Sequence, residues 1–352
     1  MRTAVMGAGS IGMFLGAMIT KNGGQIDLID TYQANVDALQ ANGARITGKA
    51  DFTVPVTALT PKEMAGAYDL IILCTKQVVN EEVVSYVLPH LAPDGFVLTL
   101  QNGIPEPSIE ALVGKGRVVG GTVGFGATWL EPGVDMLTSP LSPAIEKFAF
   151  DIGEMDGQNT PRIQAVQQLL SLCGGTTVLP DLMNVRWTKL LINATLSGMS
   201  AALGCNFGDV LDGKESLDCA VHLADEVLRV AKAEGFRLTH MLGADFNLLE
   251  LKGEDDVPNK YEFFQTVWGP HRALKASMLQ DLEKKRKTEI DYINGVVSTR
   301  GKAHGIPTPF NDMVCTLVAE SEAKGAVNRY AEAIQAFLPI LKEREDHTYG
   351  RA

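Results

Sequence analysis

No apolar run in this chain of 352 residues approaches the roughly 18 residues that a membrane span needs, so no transmembrane segment is expected. Five cysteines, Cys74, Cys173, Cys205, Cys219 and Cys315, are odd in number, scattered and without a CxxC spacing. That excludes a disulfide framework and a zinc ribbon, and fits reduced, mostly buried thiols in the cytoplasm. Six histidines occur without HExxH or another ligand spacing, so no metal site is expected. Positive charge is short: 31 Lys and Arg stand against 42 Asp and Glu, a formal balance of −11. That argues against nucleic acid or an anionic membrane as partner. A small anionic substrate stays compatible, because it responds to local charge. There is no internal repeat and no low-complexity tract. The opening residues already read as a strand, so no leader peptide is expected ahead of the fold.

What is present is ordinary globular material, 45% apolar and 21% charged, enough for about two domains. The first thirty residues organise it. Arg2-Thr-Ala-Val-Met6 is a short β-prone run, followed at once by Gly7-Ala8-Gly9-Ser10-Ile11-Gly12. An apolar helical pattern comes next and stops at Lys21-Asn-Gly-Gly24; a second strand, Gln25 to Ile29, ends on Asp30. Strand, glycine turn, helix, strand and acid stand in the order that a dinucleotide-binding α/β fold requires. Gly7 permits the tight turn, Gly9 has no Cβ to hold the backbone away from a pyrophosphate, and Gly12 lets the helix pack close to the sheet. The free N–H groups at the helix start then face the phosphates. Asp30 can accept both adenosine-ribose hydroxyl hydrogens and would repel a 2′-phosphate, which favours NAD(H). NADP(H) stays open, since a nearby cation could hold that phosphate.

Strand and helix signals alternate through the first half. Tyr32 to Asn42 reads as a helix closing at Gly43, with short strands at Arg45-Ile-Thr and Phe52-Thr-Val-Pro-Val. Tyr68 to Cys74 and Gly95 to Leu100 read as buried parallel strands. Their ends deliver Thr75-Lys76-Gln77 and Gln101-Asn102-Gly103, where open α/β sheets bind ligands. From Arg117 to Gly153 the expectation is antiparallel strands extending the same sheet, with a turn at Glu131-Pro-Gly and a strand from Lys147 to Gly153. Thr160-Pro161 starts a helix that runs to Leu172, and Thr176 to Leu179 is a short strand.

Pro180-Asp181 marks the expected boundary: residues 1–179, then 180–346, then a frayed tail, 347–352. Past it nearly everything has helical period, over 184–203, 216–233, 261–284, 289–304, 311–322 and 328–343. Gly253 to Pro258 reads as a solvated acidic loop with no other role. The helical half offers surface for a homodimer, though no heptad seam specifies one.

Three elements of that half carry polar groups suited to chemistry. Lys189 and Asn193 stand four apart and share a helix face, although on spacing alone that describes a solvated face. Ser277, in Ala276-Ser277-Met-Leu-Gln-Asp281, lies on a helix end. Thr288 with Asp291 forms a capping-box pattern that puts Glu289 at the first helical position, where on context-free grounds it serves the helix dipole.

Taken in order, Gly7-x-Gly9-x-x-Gly12, Thr75-Lys76, Gln101-Asn102-Gly103, Trp187-x-Lys189-Leu-x-x-Asn193 and Ser277-Met-Leu-Gln-Asp281 followed by Thr288-Glu289-Ile-Asp-Tyr-Ile-Asn294-Gly295 resemble the ketopantoate reductase (2-dehydropantoate 2-reductase) family across roughly residues 1–340. The resemblance implies a Rossmann domain before an all-helical domain, with substrate in the cleft between them. It implies Lys189 as general acid toward the oxygen of a 2-oxo acid and Glu289 as hydrogen-bonding the region of that oxygen. Asn102 would stand beside the nicotinamide and Lys76 on the cofactor side. Asn193 would orient Lys189 or the substrate, and Ser277 would bind the substrate carboxylate. The activity implied is reduction of a branched 2-oxo acid to the D-(R)-2-hydroxy acid with hydride from NAD(P)H.

Three positions depart from the family pattern. Asp30 stands where the NADPH-preferring members carry arginine, and Ser197 and Leu274 stand where the pattern has substrate-side asparagines. Ketopantoate is the default family substrate; Leu274 cannot hydrogen-bond its 4-hydroxyl, so the close rival within the class is a bulky apolar acid such as 2-oxoisovalerate or benzoylformate. That is the NAD-dependent D-2-hydroxyacid dehydrogenase branch of the family. Glycerol-3-phosphate and opine dehydrogenases, of similar architecture, lack the Ser277 to Gly295 block. A non-catalytic nucleotide sensor on this fold is the alternative of another class.

Overall fold

The computed structural model describes residues 1–139 and 149–349. It divides into two compact units, Met1–Leu182 and Met183–Ala352. The strands of the first unit are, in chain order, β1 (Thr3–Met6), β2 (Asp27–Ile29), β3 (Ala44–Gly48), β4 (Phe52–Val54), β5 (Thr57–Leu59) and β6 (Tyr68–Leu73). They continue with β7 (Leu91–Thr99), β8 (Val118–Val123), β9 (Ala127–Glu131), β10 (Val134–Leu137), β11 (Phe150–Glu154) and β12 (Thr176–Val178). Helix α1 spans Ser10–Lys21 and α2 spans Gln33–Asn42.

The main sheet runs β12-β11-β8-β7-β6-β1-β2-β5. From β8 to β5 every pairing is parallel, with Val5 of β1 opposite Leu28 on one side and Ile72 on the other. Strands flanked on both sides and covered on both faces must be apolar throughout, and Leu70, Ile71, Ile72 and Leu73 are all fully buried. Helix α1 turns Met13, Phe14, Leu15, Ala17 and Ile19 into that core. It lies so close to β2 that a Cβ on Gly16 would stand 2.3 Å from Leu28 Cδ2.

One expectation fails here. The segment 127–137 does not extend the main sheet: β9 and β10 form a hairpin in a second sheet, ordered β4-β3-β10-β9. Its β10 pairs parallel with β3, Val134 opposite Arg45, and the Arg45 N–H bonds Gly133 O at 2.9 Å. Ala44, Ile46 and Leu137 share the core that α1 lines, and both strands of the hairpin pack on α1. Only β11 pairs antiparallel with β8 as expected; Lys147 and Phe148, read as the start of that strand, lie outside the described residues.

Asp135 of β10 is fully buried, and burial lifts its carboxyl to about 7. Neither oxygen has a partner at full hydrogen-bond geometry among the described residues, and the weaker approach of the Met136 N–H only tempers the rise. A pKa raised on folding makes the folded state bind more protons than the unfolded one. The stability it gives is complete below the unfolded carboxylate value and is lost as pH climbs through about 7. Asp135→Asn is therefore expected to flatten the melting temperature between pH 5 and 8, and to melt a few degrees above the parent at pH 8, on the order of 1–3 kcal/mol. Parallel pH profiles of the two proteins would contradict this.

Among the described residues the second unit is helical except for one small departure from the all-helical expectation, a two-stranded antiparallel hairpin pairing His240–Met241 with Ala244–Asp245. Its axis is the helix Lys214–Ala233, buried along nearly its whole length. The chain enters through a helix from Leu182 that continues to Leu203, with a π turn over Asn193–Ser197 in place of a regular α turn. The long helix expected over 261–284 is broken. It runs Tyr261–Trp268, tightens through Gly269–His271 and resumes at Ser277–Glu283, because Pro270 has no N–H to continue the ladder. The helix expected from Glu289 begins at Asn294, and that expected over 328–343 is divided into Tyr330–Ala333 and Leu338–Tyr349 by a tight turn. The supposed tail is thus helical to Tyr349, and residues 350–352 lie outside the described residues. The acidic loop is not merely solvated: Asp256 binds Lys260 at 2.9 Å, and Glu254 lies 3.1 Å from His222 Nε2. All five cysteines are free; Cys173, Cys205 and Cys219 are buried, and burial raises Cys74 to about 12.

Candidate active site

In the first unit the parallel strands all deliver their carboxyl ends to one edge, and the residues singled out in the sequence gather there. The Gly7 N–H bonds Ile29 O at 2.8 Å, joining the glycine turn to the end of β2 beside Asp30. Gly7 has φ +97, and a Cβ there would stand 2.7 Å from Thr75 Cγ2, so the turn also touches the end of β6. A Cβ on Gly12 would stand 2.0 Å from Gly7 O, which fixes the start of α1 against the turn. Gly9 is different: nothing lies within 4 Å of where its Cβ would be. It caps α1 without a side-chain hydrogen bond, so the first N–H groups of the helix look onto open space. Ser10 and Ile11 beside it are partly exposed and Ala8 is buried. A backbone cradle with no Cβ at its mouth and uncapped N–H groups at its rim fits a dinucleotide pyrophosphate.

The Asp30 carboxylate is held in place. Its Oδ1 accepts from the Tyr32 N–H at 2.9 Å and its Oδ2 from Asn35 Nδ2 at 3.2 Å. Thr75 and Lys76 are partly exposed at the end of β6, as is Asn102 past the end of β7. A pair of buried amides ties these two loops together: Gln101 Nε2 bonds Thr75 O at 2.8 Å and Asn80 Oδ1 at 2.6 Å, and Gln77 Nε2 bonds Asn102 O at 2.5 Å. Gln77 and Gln101 were visible as polar strand ends. Asn35 and Asn80 carried no such signal, being single asparagines within helices.

In the second unit, residues 190, 191, 194–196 and 198–203 are buried, whereas Lys189, Ile192, Asn193 and Ser197 are partly exposed. Lys189, Asn193 and Ser197, spaced four apart, therefore share one partly open stripe beside Ile192, on a helix that is also partly open at Met183 and Asn184 near its start; that stripe holds three of the predicted residues. The π turn starts at Asn193; such turns interrupt the i→i+4 ladder and recur at functional sites. Here Asn294 Nδ2 donates to Ala194 O at 3.0 Å and to Asn311 Oδ1 at 2.9 Å. Asn311 in turn donates to Glu226, which also accepts from the Phe310 and Asn311 N–H groups, each at 3.0 Å. Burial raises Glu226 to about 7 against those hydrogen bonds. The amide of Asn294 fits because a Cβ on Gly198 would stand 2.7 Å from its Oδ1.

Glu289 is 9% exposed and precedes a three-residue tight turn, Ile290–Tyr292. The expected capping box with Asp291 does not form. The Thr288 N–H and hydroxyl both donate to Glu322, at 2.8 and 2.7 Å, because that carboxylate comes from a helix packed alongside. Ser277 is the first residue of Ser277–Glu283, which packs against the π turn; Ser277 is exposed, and Leu274 is 46% exposed. A groove of about 710 Å³ lined by Cys205, Asp209, Asp212, Lys275, Glu283 and Tyr330 contains none of the predicted residues. Its Glu283 is already paired with Lys275 at 2.7 Å, so it offers no free charge to a substrate from that pair.

Known proteins match along almost the whole length. The family model described as "Ketopantoate reductase PanE/ApbA" matches residues 3–148, and "Ketopantoate reductase PanE/ApbA C terminal" matches residues 181–322. The 2-dehydropantoate 2-reductase of Streptococcus pyogenes serotype M6 is 27% identical over 326 residues, covering 91% of this chain and 97% of that protein. That of Pyrococcus abyssi is 28% identical over 326 residues, covering 92% and 98%. Among solved structures, D-mandelate dehydrogenase with NADH and anilino(oxo)acetate aligns with a TM-score of 0.77 at 24% identity, covering 92% of this chain and 99% of that one. The 2-dehydropantoate 2-reductase from Geobacter metallireducens GS-15 aligns at 0.75 and 26%, covering 91% and 100%. The α/β unit with its glycine turn, the helical unit after it and both matched models lead to one conclusion: the chain belongs to the ketopantoate reductase PanE/ApbA family.

Proposed function

We propose that the protein is an oxidoreductase that reduces a branched or bulky 2-oxo acid to the D-(R)-2-hydroxy acid, using a nicotinamide dinucleotide, with NADH preferred. The observation that carries this reading is the partly open stripe of Lys189, Asn193 and Ser197, spaced four apart on a helix whose other residues from 190 to 203, Ile192 excepted, are buried. The names of the relatives and the NADH in the D-mandelate dehydrogenase structure support a nicotinamide cofactor; the preference for NADH rests on Asp30. When bound, that cofactor supplies hydride to C2 of the substrate. The turn from Gly7 to Gly12 would hold the pyrophosphate on the N–H groups at the start of α1, Asp30 the adenosine-ribose hydroxyls, and Thr75, Lys76 and Asn102 the nicotinamide half.

Reduction at C2 places negative charge on the carbonyl oxygen. Lys189 stabilises that charge with its ammonium and donates the proton from Nζ. Asn193 orients Lys189 or the substrate, Glu289 hydrogen-bonds near the same oxygen, and Ser277 receives the substrate carboxylate. Ser197 and Leu274 line the substrate side. A site with leucine in place of an amide favours an apolar side chain over the 4-hydroxyl of ketopantoate, since it offers that hydroxyl no partner.

Steady-state kinetics with NADH and NADPH against ketopantoate, 2-oxoisovalerate and benzoylformate test the reading. NADH is expected to exceed NADPH in kcat/KM by about tenfold or more, and an apolar acid to exceed ketopantoate. A clear advantage for ketopantoate with NADPH would remove the roles given to Asp30 and Leu274 and leave the reductase reading standing. No turnover with any pair would remove the reductase reading too.

A further inference from the structure

We propose that Asn35 is a positioning residue that sets cofactor preference, by holding the Asp30 carboxylate and the glycine turn in one frame. The inference rests on the nicotinamide-cofactor reading above and adds a residue to which neither the sequence pattern nor the family likeness gave a role.

Asn35 sits in the first turn of α2 and is 1% exposed. An amide that deep must satisfy two donors and an acceptor. Here each is used, and on different elements. Nδ2 donates to Ala8 O, inside the glycine turn, at 3.0 Å and to Asp30 Oδ2 at 3.2 Å. Oδ1 accepts from the Gly133 N–H, at the hairpin turn of the second sheet, at 2.9 Å, with Trp129 Nε1 at 3.5 Å. The hairpin turn also abuts α2, since a Cβ on Gly133 would stand 3.2 Å from Ala38 Cβ. The second sheet therefore anchors the amide, and the amide carries that anchor to two groups on the dinucleotide edge.

The two donor bonds have separable consequences. The bond to Ala8 O shapes the turn that meets the pyrophosphate, which NADH and NADPH share. The bond to Asp30 fixes one carboxylate oxygen while the Tyr32 N–H fixes the other, leaving the group set for two ribose hydroxyls and opposed to a 2′-phosphate. Without Asn35 only the Tyr32 N–H holds the carboxylate, Oδ2 loses its anchor, and the penalty against the extra phosphate falls with the affinity for the hydroxyl pair. Loss of a merely structural contact would weaken both dinucleotides alike.

The test is equilibrium titration of the full chain with NADH and with NADPH, read by nicotinamide fluorescence without substrate. Asn35→Ser is expected to raise the Kd for NADH by about tenfold and that for NADPH by less than about threefold, so that the ratio between them shrinks several-fold. In an Asp30→Ala background the same substitution should leave the ratio unchanged, since the effect passes through Asp30. Equal losses for both dinucleotides, or an unchanged ratio, overturn the assignment. Asn35→Ala serves if the serine variant does not fold; if neither folds, Asn35 is a residue of the fold alone and the assignment falls. A parent protein that binds neither dinucleotide would instead sink the cofactor reading on which this rests.

Discussion

Replacing Lys189 with alanine is expected to lower kcat by about 10³-fold while the Kd for NADH changes by less than about threefold. The reason is the division of labour that the proposed mechanism gives the two units. The dinucleotide cradle, with its glycine turn, Asp30 and the loops after β6 and β7, lies within Met1–Leu182, whereas Lys189 belongs to the helical unit. In the proposed mechanism its removal takes away an ammonium that acts on charge appearing only during reduction, so the loss is expected to fall on kcat. Lys189→Arg separates the two tasks. A guanidinium keeps the positive charge but holds its proton at any ordinary pH, so it is expected to recover about tenfold over alanine and to stay far below the parent. Steady-state kinetics paired with fluorescence titration reads both quantities. A nucleotide sensor would give a different result, NADH binding in the parent with no turnover to lose.

The second large effect belongs to the glycine turn, and it comes as a contrast between neighbours. Gly12→Ala would put a Cβ 2.0 Å from Gly7 O and 2.9 Å from Val5 Cγ1, the first of these a backbone atom that cannot swing aside. Helix α1 must move off β1, with an expected stability loss of about 1–3 kcal/mol and at least about a hundredfold loss of NADH affinity. Gly9→Ala meets no protein atom within 4 Å, and its φ of −74 suits any residue. The methyl would occupy only the mouth of the cradle. It is expected to leave the melting temperature within about one degree of the parent and still to weaken NADH by about tenfold or more. Thermal melts and NADH titration of both variants check this. Gly9→Ala with full affinity would show that no pyrophosphate approaches that turn.

The main sheet was legible because its evidence is local. Gly7 and Gly12 answer to contacts with the end of the neighbouring strand and with the turn itself, Gly9 leaves its mouth open, and the runs ending at Leu73 and Thr99 carry their burial in their composition. The second sheet was not legible, because β3 finds its partner in β10, far along the chain, and nothing in Arg45-Ile-Thr names Val134 as its neighbour. The break at Gly269-Pro270 could have been read from the proline alone; an apolar period on both sides masked it. At the candidate site, helical spacing placed Lys189 and Asn193 on one face, yet it gave no hint of the π turn or of Asn294 bracing Ala194 from another helix. Asn35 was invisible for the same reason: the role proposed for it depends on partners on other elements, two of which, Ala8 and Gly133, are far from it along the chain.

A crystal structure of the protein with NADH and an unreactive 2-oxo acid analogue tests the central claim most directly. The account predicts Lys189 Nζ within about 2.6–3.2 Å of the oxygen on C2 of the analogue, with that carbon facing C4 of the nicotinamide. Lys189 turned to solvent, with another side chain on that oxygen, would contradict it.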